Sequence, residues 1–270
     1  MHDAPVDRST MPFVAPCRIV SPLAPFRWLR QGIADFRRAP QHSIAYGIFM
    51  AAAIAVVVVL AWIYGSYWFM LAMLGGFVFL APLTCIGLYA ISAQIERDQQ
   101  PSMAASLAEA LKRHFGNELV FALILLVLFM VWARAGIMVS IFFPTDANPT
   151  PREMIGYLAI GSLVGALFAM VTFSASAFSL PMILHRDVDS VTAIVTSINA
   201  VLRNKLAMLV WLALIMLGLL LGTATLFLGL VIILPVIGYA AWHGYLETID
   251  ASAFPRHSAG ITSTPRNKPL

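Results

Sequence analysis

Charge is scarce in this sequence. Asp, Glu, Lys and Arg make up 11% of its 270 residues, against roughly 25% in an average soluble domain. A soluble fold of this length needs far more polar surface to cover itself, so an ordinary cytosolic enzyme and a disordered chain are excluded. Cysteine is nearly absent too. Cys17 lies in a polar stretch and Cys85 in an apolar one, which excludes a disulfide scaffold and leaves the redox compartment open. The opening MHDAPVDRST has neither a basic segment nor an apolar one and does not read as a cleavable signal peptide. The chain also lacks G-x-x-x-x-G-K-[ST], G-x-S-x-G, C-x-x-C and H-E-x-x-H, the local patterns of phosphate cradles, nucleophile elbows, redox pairs and zinc helices.

Apolar side chains are abundant instead. They supply 60% of the residues, and the mean hydropathy is +0.84. The chain reads as an all-α polytopic membrane protein. Residues 39–95, 57 in all, hold no formal charge, too many for one span of about 20 and enough for two. A turn at Tyr64-Gly65-Ser66-Tyr67 divides them, predicting spans at about 43–64 and 67–91. Further spans are expected at 119–142 and 155–181, separated by the proline-rich loop from Pro144 to Pro151. Residues 206–246, 41 without formal charge, accommodate two short spans at 206–222 and 225–246 with a turn near Gly222-Thr223. Six transmembrane helices result. Residues 1–22 and 251–270, polar and rich in proline, read as disordered tails flanking a membrane domain at 23–250.

Three segments are amphipathic rather than apolar: 24–38, 102–115 and 189–204. In the second, Met103, Leu107 and Leu111 recur every four residues and line one helix face. Each ends in basic residues, which suit a helix C-terminus and anionic lipid headgroups. The pattern reads as one unit used three times, an amphipathic helix followed by a two-span hairpin. Gly76, Val78 and Pro82 recur in spacing as Gly229, Val231 and Pro235, and acidic residues follow every even span.

Fifteen of the 17 Lys and Arg residues fall on one side of this arrangement, leaving Arg134 and Arg152 on the other. The positive-inside rule places both termini and the three amphipathic helices in the cytoplasm of a bacterial inner membrane. With basic residues dispersed along one membrane face, nucleic acid is not an expected partner. The bilayer, its anionic headgroups and a membrane-protein partner are.

Few residues remain for chemistry. Arg134, the one charge inside an expected span, lies 16 residues beyond Glu118, or about 24 Å along a helix. It therefore reads better as a snorkelling anchor at the outer interface than as a mid-membrane relay. His42, His114, His185 and His243 fall at the basic ends of spans, none at mid-span and none paired at i, i+4. No metal site and no cofactor are assigned. Arg186, Asp187 and Asp189, with His243, form a candidate cluster at the cytoplasmic mouth for a cation, a proton or a partner. Asp189 also suits a helix N-cap. Pro82, Pro181 and Pro235 act as helix-shape determinants, either as packing kinks or as breaks of the kind that line transporter cavities.

The run Leu180-Pro-Met-Ile-Leu-His-Arg-Asp187-Val-Asp189-Ser-Val-Thr-Ala193, the later Leu234-Pro235 with Trp242-His243-x-Tyr245, and the opening Arg27-Trp28-Leu29-Arg30-Gln-Gly32 with Asp35 resemble one family. It is the uncharacterised bacterial integral-membrane family called domain of unknown function 2189. The resemblance spans about residues 24–250 and implies a membrane fold without an established activity. Some members carry a cytochrome c oxidase label. The haem–copper centres of such oxidases need several intramembrane histidines, and the expected spans here have none at mid-depth. An accessory role near a respiratory complex is what that label leaves. The leading expectation is a non-enzymatic inner-membrane protein with a structural, assembly or accessory role. The alternative is a small-solute transporter or channel working through the proline-kinked spans two, four and six.

The charge distribution has a direct test. An alkaline phosphatase fused to the C-terminus is expected to be inactive and a fluorescent protein fused there to be bright; phosphatase activity at that fusion reverses the topology.

Overall fold

The computed structural model describes residues 12–64, 82–102, 115–142 and 150–255. These residues are helical: α1 (Ala24–Arg38), α2 (Pro40–Tyr64), α3 (Ile86–Glu96), α4 (Phe115–Val139), α5 (Pro151–Ser176), α6 (Ser179–His185), α7 (Ser190–Arg203), α8 (Lys205–Ala224) and α9 (Leu230–Thr248), with a 3-10 turn at Ser140–Phe142. Cys17 and Ile249 form an isolated antiparallel bridge. Among the described residues five stretches are long and apolar enough to cross a membrane: Pro40–Tyr64, Gly116–Val139, Met154–His185, Lys205–Ala224 and Leu230–Thr248. The expected second span, 67–91, is described only from Pro82 onward, where a helical turn leads into α3. Of the three amphipathic segments, 24–38 forms α1 and 189–204 forms α7, while 103–114 lies outside the described residues, as do Gly76 and Val78 of the expected repeat.

The expected boundaries shift in three places. Residues 12–22, read as part of a disordered tail, are a packed strap. Ala15 N–H donates to the Thr196 hydroxyl at 3.1 Å, Val20 N–H to the Asn204 side chain at 2.8 Å, and Arg18 N–H to the Thr248 carbonyl at 2.8 Å. Polar backbone that looks unpartnered in sequence finds its acceptors on α7 and α9. The segment after α9 packs likewise, with Ala251 and Phe254 buried.

The fourth span, expected as one helix over 155–181, is interrupted at Ala177 and Phe178, between α5 and α6. The Phe178 N–H turns aside to the Ser197 hydroxyl at 3.1 Å. Pro181 then occupies the third position of α6, where an N–H has no helical acceptor to lose.

The last hairpin turns at residues 225–229 rather than at Gly222, with Leu226 and Phe227 at φ 54° and 68°. Gly222 serves packing instead of turning. A Cβ there would lie 2.2 Å from Cδ2 of Leu230, so its bareness lets α9 fold back onto α8.

The C-terminal half of α9 is the axis of the packed end. Tyr239, Ala240, Trp242, Tyr245 and Thr248 are all buried. Around them sit α1, α2, α3, α6 and α8. Two glycines permit the approach. A Cβ on Gly32 of α1 would lie 2.5 Å from the Val236 carbonyl oxygen, and one on Gly47 of α2 would lie 1.9 Å from that of Val231. Pro235 lacks an N–H, so the Val231 carbonyl four residues earlier has no helical donor. The backbone of α2 closes over it. The far end differs: α4, α5 and α8 present exposed Leu, Met, Val and Ile side chains along most of their length, the surface that lipid tails solvate.

Replacing Gly47 by Ala forces two backbones apart, at a cost on the order of 1–3 kcal/mol for overpacking. Gly165 of α5 has nothing within 4 Å of an added Cβ, so Gly165→Ala is expected to be neutral or slightly stabilising. Thermal unfolding of the two variants in one detergent checks the contrast.

Candidate functional site

α1 buries Pro25 and, on one stripe, Ala24, Trp28, Gly32 and Asp35. Their spacing follows the 3.6-residue period, and it sets an acid among apolar neighbours. Asp35 is 4% exposed and is the only buried charged side chain among the described residues. An unpaired carboxylate at such a place is strongly disfavoured. Two donors meet its Oδ2 atom: the Ser92 hydroxyl of α3, and Nε2 of His243 on α9 at 2.8 Å. Nε2 therefore carries the imidazole proton. A second polar contact lies alongside. The Ser43 hydroxyl donates to the Ala39 carbonyl at 2.7 Å and lies 2.8 Å from the Tyr239 hydroxyl. Serine has one proton to give, so Tyr239 is the donor of that pair.

Tryptophan indoles meet the acids that follow the even spans. Trp28 donates its indole N–H to Glu247 at 2.9 Å, and Glu247 also pairs with the Arg27 guanidinium. Trp242 donates to Glu96 at 3.3 Å. Beside it, Nδ1 of His185 lies 2.9 Å from the Tyr245 hydroxyl, with its ring 5.5 Å from that of Trp242. Ala93, Glu96, Arg97, His185 and Trp242 line a cleft of about 110 Å³ at this end of the molecule.

The proposed cluster of Arg186, Asp187, Asp189 and His243 is not one site. The Arg186 guanidinium donates to the Phe254 carbonyl at 2.8 Å, and the Asp187 N–H to that of Pro255 at 3.0 Å. Both hold the segment after α9. Asp189 is the N-cap of α7, its carboxylate accepting the Thr192 N–H at 2.9 Å. Partial burial would raise its pKa, but the hydrogen bonds from the helix N-terminus outweigh that and hold it below the usual carboxylate value. His243 instead faces Asp35. Of the three prolines, Pro235 sits within α9, Pro181 in the first turn of α6, and Pro82 in the helical turn before α3. Arg134 is on the exposed surface of α4, five residues before its end at Val139.

Sequence reasoning grouped His243 with Arg186, Asp187 and Asp189 and missed its partner Asp35. Asp35 carried one usable signal, an acid on the helix line that also carries Ala24, Trp28 and Gly32. Ser92, one small polar residue in a charge-free run, carried none.

The chemistry open to Asp35, Ser92 and His243 is limited by their order. In a nucleophilic triad the imidazole stands between serine and carboxylate and takes the serine proton. Here the carboxylate stands between, and Ser92 is 1% exposed. The arrangement fastens three helices and offers no nucleophile. Among the described residues no group of three His, Cys, Asp or Glu side chains is placed to hold a metal.

Comparison with known proteins follows the fold. A protein family described as "Predicted integral membrane protein (DUF2189)" matches residues 68–185. The resemblance read from sequence is thereby found over that stretch, from within the charge-free run through α6, and it makes the chain an integral membrane protein of unknown function. No curated protein and no solved structure matches the chain.

Asp35→Ala leaves the Ser92 hydroxyl and the His243 N–H unsatisfied, at about 1–3 kcal/mol. Asp35→Asn keeps an acceptor and is expected to cost less. His243→Ala strands a buried carboxylate. The double variant Asp35→Ala/His243→Ala is expected to lose less stability than the two single losses added, read as unfolding midpoints in detergent. Strict additivity would break the pair.

Proposed function

We propose that this chain is a non-enzymatic membrane protein with a structural, assembly or accessory role, set in a bacterial inner membrane with its basic end and both termini in the cytoplasm. The observation that carries this reading is the use made of Asp35, the one buried acid among the described residues. It joins α1, α3 and α9. The helix irregularities that suggested transport support the same reading. The Val231 carbonyl freed by Pro235 lies against Gly47, and the break between α5 and α6 is closed by Ser197 and by the Ser179 hydroxyl, 3.2 Å from the Ala193 carbonyl. Discontinuous helices of transporters turn such groups toward water or an ion; here they turn toward protein.

The test has two arms. In cells lacking the chain, a specific membrane complex is expected to fall in abundance and to recover on re-expression, with the chain cross-linked to it in native membranes. In proteoliposomes the purified chain is expected to pass no solute above the background of empty vesicles. Saturable flux abolished by a substitution lining its path overturns the reading in favour of a transporter.

A further inference from the structure

The face of α1 opposite Asp35 is exposed. Phe26, Arg30, Ile33 and Arg37 recur at spacings of four, three and four residues, which puts them on one line of the helix. That line stands diametrically across from Ala24, Trp28, Gly32 and Asp35. Phe26 is 53% and Ile33 41% exposed, and both arginines are exposed. Just before the helix, Ile19 and Leu23 are 77% and 67% exposed.

We propose that this outer face of α1 is seated in the headgroup layer of the membrane and binds anionic phospholipid, with Phe26 and Ile33 at the acyl boundary and Arg30 and Arg37 on phosphate. Three observations select that occupant. The first is position. After Ala39 the chain enters α2, a candidate span, and α1 packs on α9 from Val236 to Gly244: Trp28 against Gly244, Gly32 against Val236 and Ala240, Asp35 on His243. An amphipathic helix that leads directly into a span lies where water meets lipid.

The second is charge. The sole acid of α1 is Asp35, on the inner face and engaged by His243. The outer face holds arginine without a carboxylate, and no ion pair joins Arg30 or Arg37 to a described residue. An anionic surface supplies the missing sign. The third is the alternation itself. Phe-Arg-Ile-Arg along one line suits a boundary at which apolar side chains go down and guanidinium groups stay at the phosphates. The inference goes beyond the accessory role proposed above, since it holds whether or not a protein partner exists.

A fluorophore tests it on the full chain. Bimane is attached at Ile33→Cys, with Cys17 and Cys85 replaced by Ser, or at Phe26→Cys should the first variant fail to fold. The labelled chain is reconstituted into phosphatidylcholine bilayers with or without phosphatidylglycerol. Brominated lipids are expected to quench the label, and brominated phosphatidylglycerol more than brominated phosphatidylcholine. Adding Arg30→Gln/Arg37→Gln is expected to lower that preference roughly 30-fold, from the attraction of two cations to an anionic surface. Retention of phosphatidylglycerol by the detergent-purified Arg30→Gln/Arg37→Gln chain, with its cysteines intact, is expected to fall in native mass spectra. A label quenched by aqueous iodide and untouched by lipid bromines overturns the proposal. So does a label shielded only when two copies cross-link through it, which assigns the face to a second chain.

Discussion

A carboxylate cannot stay buried alone, and the packed end of this molecule is organised around that constraint. Asp35 lies on the inner face of α1, so α1 docks only where a hydroxyl and an imidazole await it. Those come from α3 and α9, helices otherwise made almost wholly of apolar side chains. Of their few polar residues, Ser92 and His243 sit where the acid arrives. The approach also needs bare backbone, which Gly32 provides against Val236 and Ala240. Charge satisfaction and close packing are thus met at one crossing. A larger residue at Gly32 would undo the electrostatics by lifting the carboxylate from its donors.

The molecule has two solvents, and its two ends differ accordingly. At the basic end the aromatic rings of Trp28, Trp211, Trp242, Tyr239 and Tyr245 are fully buried, and hydrogen bonds tie strap, α7 and α9 together. Water drives that burial. Along α4 and α5 the side chains face outward and few are buried, because lipid tails are as hospitable to leucine as another helix is. Small residues on α5 such as Gly156 and Gly165 meet nothing.

What was legible in the sequence follows the same division. Spans are written in local composition, so charge-free runs located α2, α8 and α9. The bounds of α1 were legible because its amphipathic composition is local too. Asp189 could be placed as a cap from its position before an amphipathic run. The pairing of Asp35 with His243 crosses 208 residues, and no periodicity encodes it. The strap was misread for a related reason. Its proline-rich, polar composition describes a chain that cannot form its own helix, and its partners, Thr196, Asn204 and Thr248, belong to elements far along the chain. The break before α6 depends on Ser197 of α7 accepting a backbone N–H, a contact between neighbouring elements that residue types alone do not announce.

The pairing of the earliest and latest helices also has a consequence in time. A ribosome finishes α1 long before it starts α9, so Asp35 and its stripe wait through the insertion of every intervening span without their final partner. The packed end closes last, when α9 arrives and the strap can bridge from Thr196 to Thr248. A chain arrested before that point carries its acid on a stripe of Ala24, Trp28 and Gly32 that α9 has not yet covered.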